Sequence, residues 1–405
     1  MKVQINRKTI TIAIVALLVI LIIIGIFAPK KQIIAFYDLS ETEILGIQTA
    51  VLAMDKKTVN PKSYKFVTYE SSLPLETQLK LKKPAVLIGR SNSAFREAVL
   101  TKKSKVIDSK NLEKMTSSIK GSALSFDDKI VAQPVLSDNF EIAVNLDLYR
   151  KLKIKTLATW DDLENFAVQS KEKYGSAIML NTKDADSFLN FIGAMIEAFD
   201  GRAAYATTVK KLNEYVGDPN FNGVSIIRNF LEEENSPLQK TLEVLRRWNE
   251  KGLFVAGTFN ADNADLKAAM ANGKVAVTFM TLKEHREIPR ETIEHFSSIY
   301  VPSSISPSAR RFTAPIVYAA AFKKGKKIDA LLNQLSQKET QEKLTALTGL
   351  APVLAECKPG DRQSDDARYW VAATNPPLVG LGKDTNLSMQ EKDDFSKSIQ
   401  AAIRY

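Results

Sequence analysis

The chain has 405 residues, 45% hydrophobic and 25% charged. That is an ordinary globular composition, too long for one core and without the bias of a disordered or fibrous protein. The net charge of +10 falls to about +5 (+10 minus 5) once Lys2, Arg7, Lys8, Lys30 and Lys31 are set aside, and the remaining Lys and Arg alternate with Asp and Glu. A nucleic-acid footprint is excluded on that pattern, and the single cysteine, Cys357, excludes an intrachain disulfide.

Residues 9–28 are an uncharged run rich in Ile, Leu and Val. As a helix it is about 30 Å long, the hydrocarbon thickness of a bilayer. Lys2, Arg7 and Lys8 before it put the N-terminus in the cytoplasm and the rest outside. A cleaved signal peptide is the competing reading, but Ile26-Phe27-Ala28 followed by Pro29 is a poor cleavage site. The run therefore reads as an uncleaved signal-anchor, with a single-pass chain in the cytoplasmic membrane and its ectodomain in the periplasm or outside the cell.

Beyond it, strands are expected at 33–37, 66–69 and 85–89, with a helix at 42–54 and another opening at Arg90-Ser91-Asn92-Ser93. This alternation predicts a mainly parallel, open α/β sheet. Ligands bind such sheets beyond the carboxyl ends of the strands, which makes Tyr37, Asp38, Arg90 and Asn92 site candidates. The plainer reading of Asp38 and Asn92 is that they cap helices.

Residues 133–167 form the most legible stretch. An apolar strand containing Pro134 leads to an alternating one with Phe140, Ile142 and Val144. A short helix at 147–152 follows, then a longer one whose start, Thr159-Trp160-Asp161-Asp162-Leu163, supplies an N-cap and two first-turn acids. Further on come a strand at 177–180, a polar loop at 181–187, helices at 188–199, 224–231 and 237–251, a strand at 275–280 leading to a helix near Leu282, and a strand-like run at 311–322.

Three segments in order carry a family resemblance. Pro134, Asn145, Asp147, Tyr149 and the Thr159–Leu163 start form the first. Residues 266–277, LKAAMANGKVAV, form the second, and residues 335–352, LSQKETQEKLTALTGLAP, the third. Together they resemble the extracellular solute-binding proteins of ABC importers, in the branch that includes maltose-binding proteins. The resemblance implies a two-lobed α/β fold of the type II periplasmic-binding kind, with crossovers near 134–140, 277–282 and 312–318. The expected map is 1–29 for the cytoplasmic stub and anchor, 30–136 plus 280–313 for the first lobe, and 137–279 plus 314–405 for the second.

What the resemblance implies for function is capture of a small polar solute, a carbohydrate first, by hinge closure and its delivery to ABC permease subunits. Sugar recognition uses aromatic faces with carboxylates and amides. The candidates are then Tyr37, Asp38, Arg90, Asn92, Asp138, Asn139, Phe140, Asp186, Phe279 and Tyr318, with Asp138-Asn139-Phe140 at the presumed hinge. Aromatics in such positions also pack in cores. The chain departs from the family in that Trp160 and Trp248 read as structural, leaving only Trp370 to reach a cleft. A tethered scaffold or sensor of the same fold, without transport, is the alternative. Catalysis is not expected, and neither a cofactor nor a metal. His285 and His295 are the only histidines, no P-loop or G-x-S-x-G is present, and the S-x-x-K at Ser117–Lys120 lies too close to Ser137-Asp138-Asn139 for a penicillin-interacting enzyme.

Overall fold

The computed structural model describes residues 31–101, 103–233, 236–304, 314–372 and 378–405. The apolar run at 9–28 and Arg311 lie outside them. Among the described residues no helix is long and apolar enough to cross a membrane.

Two sheets organise the chain. The first contains β1 (Gln32–Tyr37), β2 (Tyr64–Thr68), β3 (Val86–Arg90), β4 (Leu124–Phe126), β5 (Lys129–Ser137), β10 (Ile316–Ala321) and β11 (Ala351–Pro352). Its order is β11-β5-β10-β3-β1-β2, with β4 on β5. The second contains β6 (Phe140–Asn145), β7 (Ala177–Met179), β8 (Val275–Thr281) and β9 (Phe296–Ile299), in the order β7-β8-β6-β9.

The sheets are less parallel than the sequence predicts. β1 pairs in parallel with β2 and β3, but β10 is inserted antiparallel between β3 and β5. In the second sheet only β7–β8 is parallel.

Alternation along the strands divides the cores. In β1, Ile34 and Phe36 face one cluster while Ala35 and Tyr37 face the other, as the two-residue period of a strand buried on both faces requires. The second lobe has one dominant core, in which Trp160, Trp248, Phe140, Phe191 and Phe279 are buried together. Helix Trp160–Tyr174 closes over it. Thr159 and Asp162 form a reciprocal capping box, and Gly175 ends the helix at φ 68°.

The expected domain map is corrected by sheet membership. β10 and β11 belong to the first sheet, not to a second lobe at 314–405, and β9 belongs to the second, not to a first lobe containing 280–313. The reason is non-local: β10 pairs with β5 and β3 across 181 (Val317 to Leu136) and 227 (Val317 to Arg90) residues, so the strand-like run at 311–322 carries no mark of the sheet it joins. The chain passes between lobes through Asp138-Asn139, then between β9 and β10, and last between helix Arg362–Ala372 and helix Leu381–Asp384. The segment expected to cross at 277–282 stays with the second lobe. The later two passages meet where Ala314 N donates to Leu378 O (2.7 Å).

Candidate functional site

β1, β3 and β5 run the same way, and their carboxyl ends meet at one edge of the first sheet. Tyr37 pairs with Gly89, Val317 with Arg90, and Ile316 with Ser137. The second lobe closes over that edge and leaves a cavity of about 600 Å3 lined by both lobes. Asp38, Ser40, Tyr69, Glu70, Ser71 and Arg90 come from the first lobe. Asp184, Asp186, Ser187, Asn190, Thr281, Lys283, Glu284 and Lys383 face them. A neighbouring hollow of about 1120 Å3 adds Tyr37, Asn92 and Lys392, and shares Asp38, Asp184, Asp186 and Lys383 with the first.

Each charge at the floor has a local origin. Ser40 and Glu43 form a capping box at helix Glu41–Leu52. One Glu43 carboxylate oxygen accepts from Ser40 N (2.8 Å), and the other pairs with the Arg90 guanidinium. Arg90 also pairs with Asp138 (2.7 Å). Asp138 in turn accepts from the backbone N–H of Asn139 (2.8 Å) and of Lys283 (3.1 Å), so this carboxylate ties both lobes at the first crossover. Its carboxyl is pushed up by burial against the pull of Arg90.

Lys383 crosses the cleft. Its ammonium sits 3.0 Å from Asp38 on the first lobe and 2.9 Å from Asp186 on the second. Asp186 is also 2.9 Å from Lys392. Burial alone would lower the Lys383 pKa, but Asp38 and Asp186 outweigh it and hold the ammonium above the ordinary lysine range. Burial likewise works against the Asp186 carboxylate, and Lys383 and Lys392 outweigh it to hold its pKa below the usual value. Asp38 ends β1 at φ 54°, a left-handed conformation that Asp tolerates better than most residues. Nearby, Asp384 pairs with Arg96 of the first lobe (2.8 Å) and accepts from Tyr205 Oη of the second (2.6 Å).

A second cross-lobe contact lies outside the cavity. Glu141 of β6 is fully buried, and its Oε1 meets Ser298 Oγ (2.7 Å), His285 Nδ1 (2.7 Å) and Gln363 Nε2 (2.8 Å). Gln363 lies on helix Arg362–Ala372, which packs with the first lobe. Arg286 donates to Gly349 O (3.0 Å) and pairs with Asp361 (2.5 Å). Among the described residues no group of three or more His, Cys, Asp or Glu is placed to hold a metal.

Of the ten residues singled out from sequence, Tyr37, Asp38, Arg90, Asn92, Asp138 and Asp186 line one hollow or both. Asn92 does two things: its Oδ1 caps helix Ser93–Val99 by accepting from Phe95 N (2.8 Å), and its Nδ2 donates to Asp38 (3.0 Å). Asn139 sits at the crossover, fully buried and off the cavity wall. The expected ring platforms are corrected. Phe140 and Phe279 stack in the second-lobe core, with ring centroids 6.5 Å apart. Tyr318 is buried in the first lobe and donates to Ser122 O (2.8 Å). Trp370 packs against Tyr300, 6.4 Å between centroids, and lines neither hollow.

Sequence reasoning missed Lys383, Glu284 and Tyr69. Glu284 has a signal, the T-x-x-E capping box with Thr281. For Lys383 the signal is its glycines. A Cβ on Gly380 would lie 2.3 Å from the Asn190 side chain, and one on Gly382 would lie 2.9 Å from the Asp186 backbone. Only a Gly-Leu-Gly segment brings Lys383 this close to helix Ala185–Glu214.

The fold and the interlobe cleft define a two-lobed α/β binding protein. The family described as bacterial extracellular solute-binding protein matches residues 58–370, and the chain belongs to that family. Its members are binding proteins that work outside the cytoplasm, not enzymes. No curated protein sequence matches the chain. Among solved structures, it is similar to the bacterial solute receptor AcbH, described as exclusive for β-D-galactopyranose, with a TM-score of 0.69, 10% identity, and 92% of this chain and 98% of that one covered. The apo form of RafE from Streptococcus pneumoniae gives 0.68 at 14% identity, covering 93% and 98%. The GacH receptor of Streptomyces glaucescens, solved unliganded and with acarbose, gives 0.61 at 13% identity, covering 92% and 97%. At these identities the likeness concerns the fold.

Proposed function

We propose that the chain is a receptor held at the cytoplasmic membrane by residues 9–28, which captures a sugar or oligosaccharide by hinge closure and hands it to the permease subunits of an ABC importer. The observation that carries this reading is the polar cavity of about 600 Å3 between lobes joined at narrow crossovers. That volume falls within the roughly 300–1,000 Å3 of small-molecule sites. Asp38, Glu70, Asp184, Asn190 and Glu284 offer the acceptors and amide that sugar hydroxyls need. Solved relatives of the same fold include RafE in complex with raffinose and a chitin oligosaccharide binding protein, which supports a carbohydrate. The test is thermal stability across a panel of sugars and polyols. A ligand at 100 times its Kd stabilises the protein by about 2.7 kcal/mol, and a silent panel sinks the receptor reading.

A second reading has its own observation. The 600 Å3 cavity has one aromatic in its lining, Tyr69, and Lys383 already occupies the space between Asp38 and Asp186. A cleft filled by its own lysine suits a tethered scaffold or sensor without transport. Solute uptake by cells lacking the protein separates the two: unchanged uptake of every solute that shifts the melting temperature favours the scaffold.

A further inference from the structure

The first sheet has two edges with opposite chemistry. The cleft lies at the carboxyl ends of β1 and β3. At the other edge β1 begins, β3 begins and β10 ends. Backbone hydrogen bonds bind these points together: Ala85 N to Ile33 O (2.7 Å), Phe322 N to Ala85 O (2.9 Å) and Lys105 N to Ala321 O (2.8 Å). Tyr64 Oη donates to Lys327 O (2.7 Å), which brings the start of helix Lys326–Leu335 to the same place.

This edge is basic and greasy together. Lys31, Lys83, Lys323, Lys324, Lys326 and Lys327 are all exposed there. Among the described residues none of these six has a carboxylate partner, while Lys80 and Lys103 share Glu76 (3.0 and 3.8 Å). Acids stand at this edge too: Glu97 and Asp329, Asp127 and Asp128 in the turn that opens β5, and Asp55 between helix Glu41–Leu52 and β2. Leu81 is 78% exposed at the end of helix Leu75–Lys82, and Val106 is 51% exposed beside Lys105. Between helix Leu75–Lys82 and helix Ser93–Val99 runs a groove of about 730 Å3, floored by Leu75, Leu79, Ala98 and Phe322 and rimmed by Lys80, Lys83 and Lys323. Apolar side chains ringed by lysines match the boundary between headgroups and acyl chains of an anionic bilayer.

The sequence supplies the bilayer. The apolar run ends at Ala28, and β1 starts at Gln32. Four extended steps reach at most about 14 Å. We infer that this lysine-rich edge of the first lobe seats on the anionic membrane surface beside the N-terminal run, so that the cleft and the second lobe beyond it stand away from the lipid. β1 sets the cleft about 20 Å above that edge at roughly 3.3 Å per residue. The inference rests on the anchor reading of residues 9–28, and it does not depend on which solute fills the cleft.

The experiment uses the full chain in bilayer nanodiscs. A fluorophore is placed at Lys324→Cys or, on the cleft side, at the exposed Thr42→Cys, and quenching by headgroup-attached nitroxide lipid is measured. Cys357 is fully buried with its thiol pushed up to about 11, so it stays unlabelled. On phosphatidylglycerol-rich discs the label at 324 is expected to be quenched several-fold more than the label at 42. Each lysine near such a surface contributes about fivefold to partition, so pure phosphatidylcholine, high salt or the K323E/K326E/K327E variant removes the difference. Equal quenching at both positions, stronger quenching at 42, or indifference to lipid charge overturns the seating. Flotation reads the anchor separately: a chain that floats but shows no difference keeps the anchor and loses the seat, while a chain that does not float loses both.

Discussion

Trp160, Trp248, Phe191 and Phe279 pack ring against ring inside the second lobe, whereas the adjoining cavity has one aromatic, Tyr69, among six carboxylates. Both regions hold ionised groups, but on different terms. In the lobe, Glu164 is 8% exposed and surrounded by Arg247, Lys251 and the Trp248 indole N–H. Its charge is pinned by elements that never separate. In the cleft, Asp38 and Asp186 share Lys383 across two lobes that a hinge can part. Apolar area holds the lobe together, and exchangeable ion pairs hold the cleft.

Trp248→Ala should attack the first region most severely. The side chain is fully buried in the aromatic core, and its loss should cost about 3–5 kcal/mol, read as a lower urea midpoint. A smaller cost would mean the ring cluster is not what stabilises this lobe. Glu164→Ala comes next, at about 1–3 kcal/mol near neutral pH. Burial opposes the Glu164 charge, but hydrogen bonds from Arg247, Lys251 and Trp248 prevail and hold its carboxyl at about 2. A depressed acid stabilises above its unfolded value of about 4.3 and loses that stability as pH falls. The gap between variant and wild type should therefore close as pH drops toward 2, and a gap independent of pH would contradict the pairing.

Lys383→Met tests the cleft. The bridge is partly exposed, so the stability change should stay within about 1 kcal/mol, but the lobes lose a tie and the radius of gyration in solution should rise. An unchanged radius would assign closure to the Glu141–His285–Gln363 contact instead. In the wild type, the lowered Asp186 pKa and raised Lys383 pKa should keep the radius constant from mild acid well into alkaline pH, with expansion only below the usual carboxylate range. Lys80→Ala is the control: its Glu76 partner is 66% exposed, and the melting temperature should not move.

Local chemistry in the sequence led to local structure. Thr159 and Asp162 cap the helix they announce, and the 188–199 pattern stops just before Gly201, whose φ of 85° interrupts helix Ala185–Glu214. The carboxyl ends of β1 and β3, where the cavity lies, were legible as a candidate site because open sheets bind ligands there. The assignment of β10 and β11 was not, since an antiparallel strand inserted from far along the chain leaves no short-range mark. Phe140, Phe279 and Tyr318 were misplaced for a different reason. A strand next to a hinge has one face toward the cleft and one toward the core, and an aromatic satisfies either. Lys383 was missed because its only mark in the sequence is the pair Gly380 and Gly382, whose close approach to Asn190 and Asp186 shows only in the folded chain.

Asn139 is fully buried between the two sheets, and neither its side-chain oxygen nor its nitrogen has a hydrogen-bond partner there. An amide stripped of water without a partner raises the free energy of that conformation by about 1–3 kcal/mol. Rotation that admits solvent to the crossover releases this penalty. On this account the joint between the lobes would act as a sprung door: contacts in the cleft would pull it shut, and the unpaired amide of Asn139 would push it open.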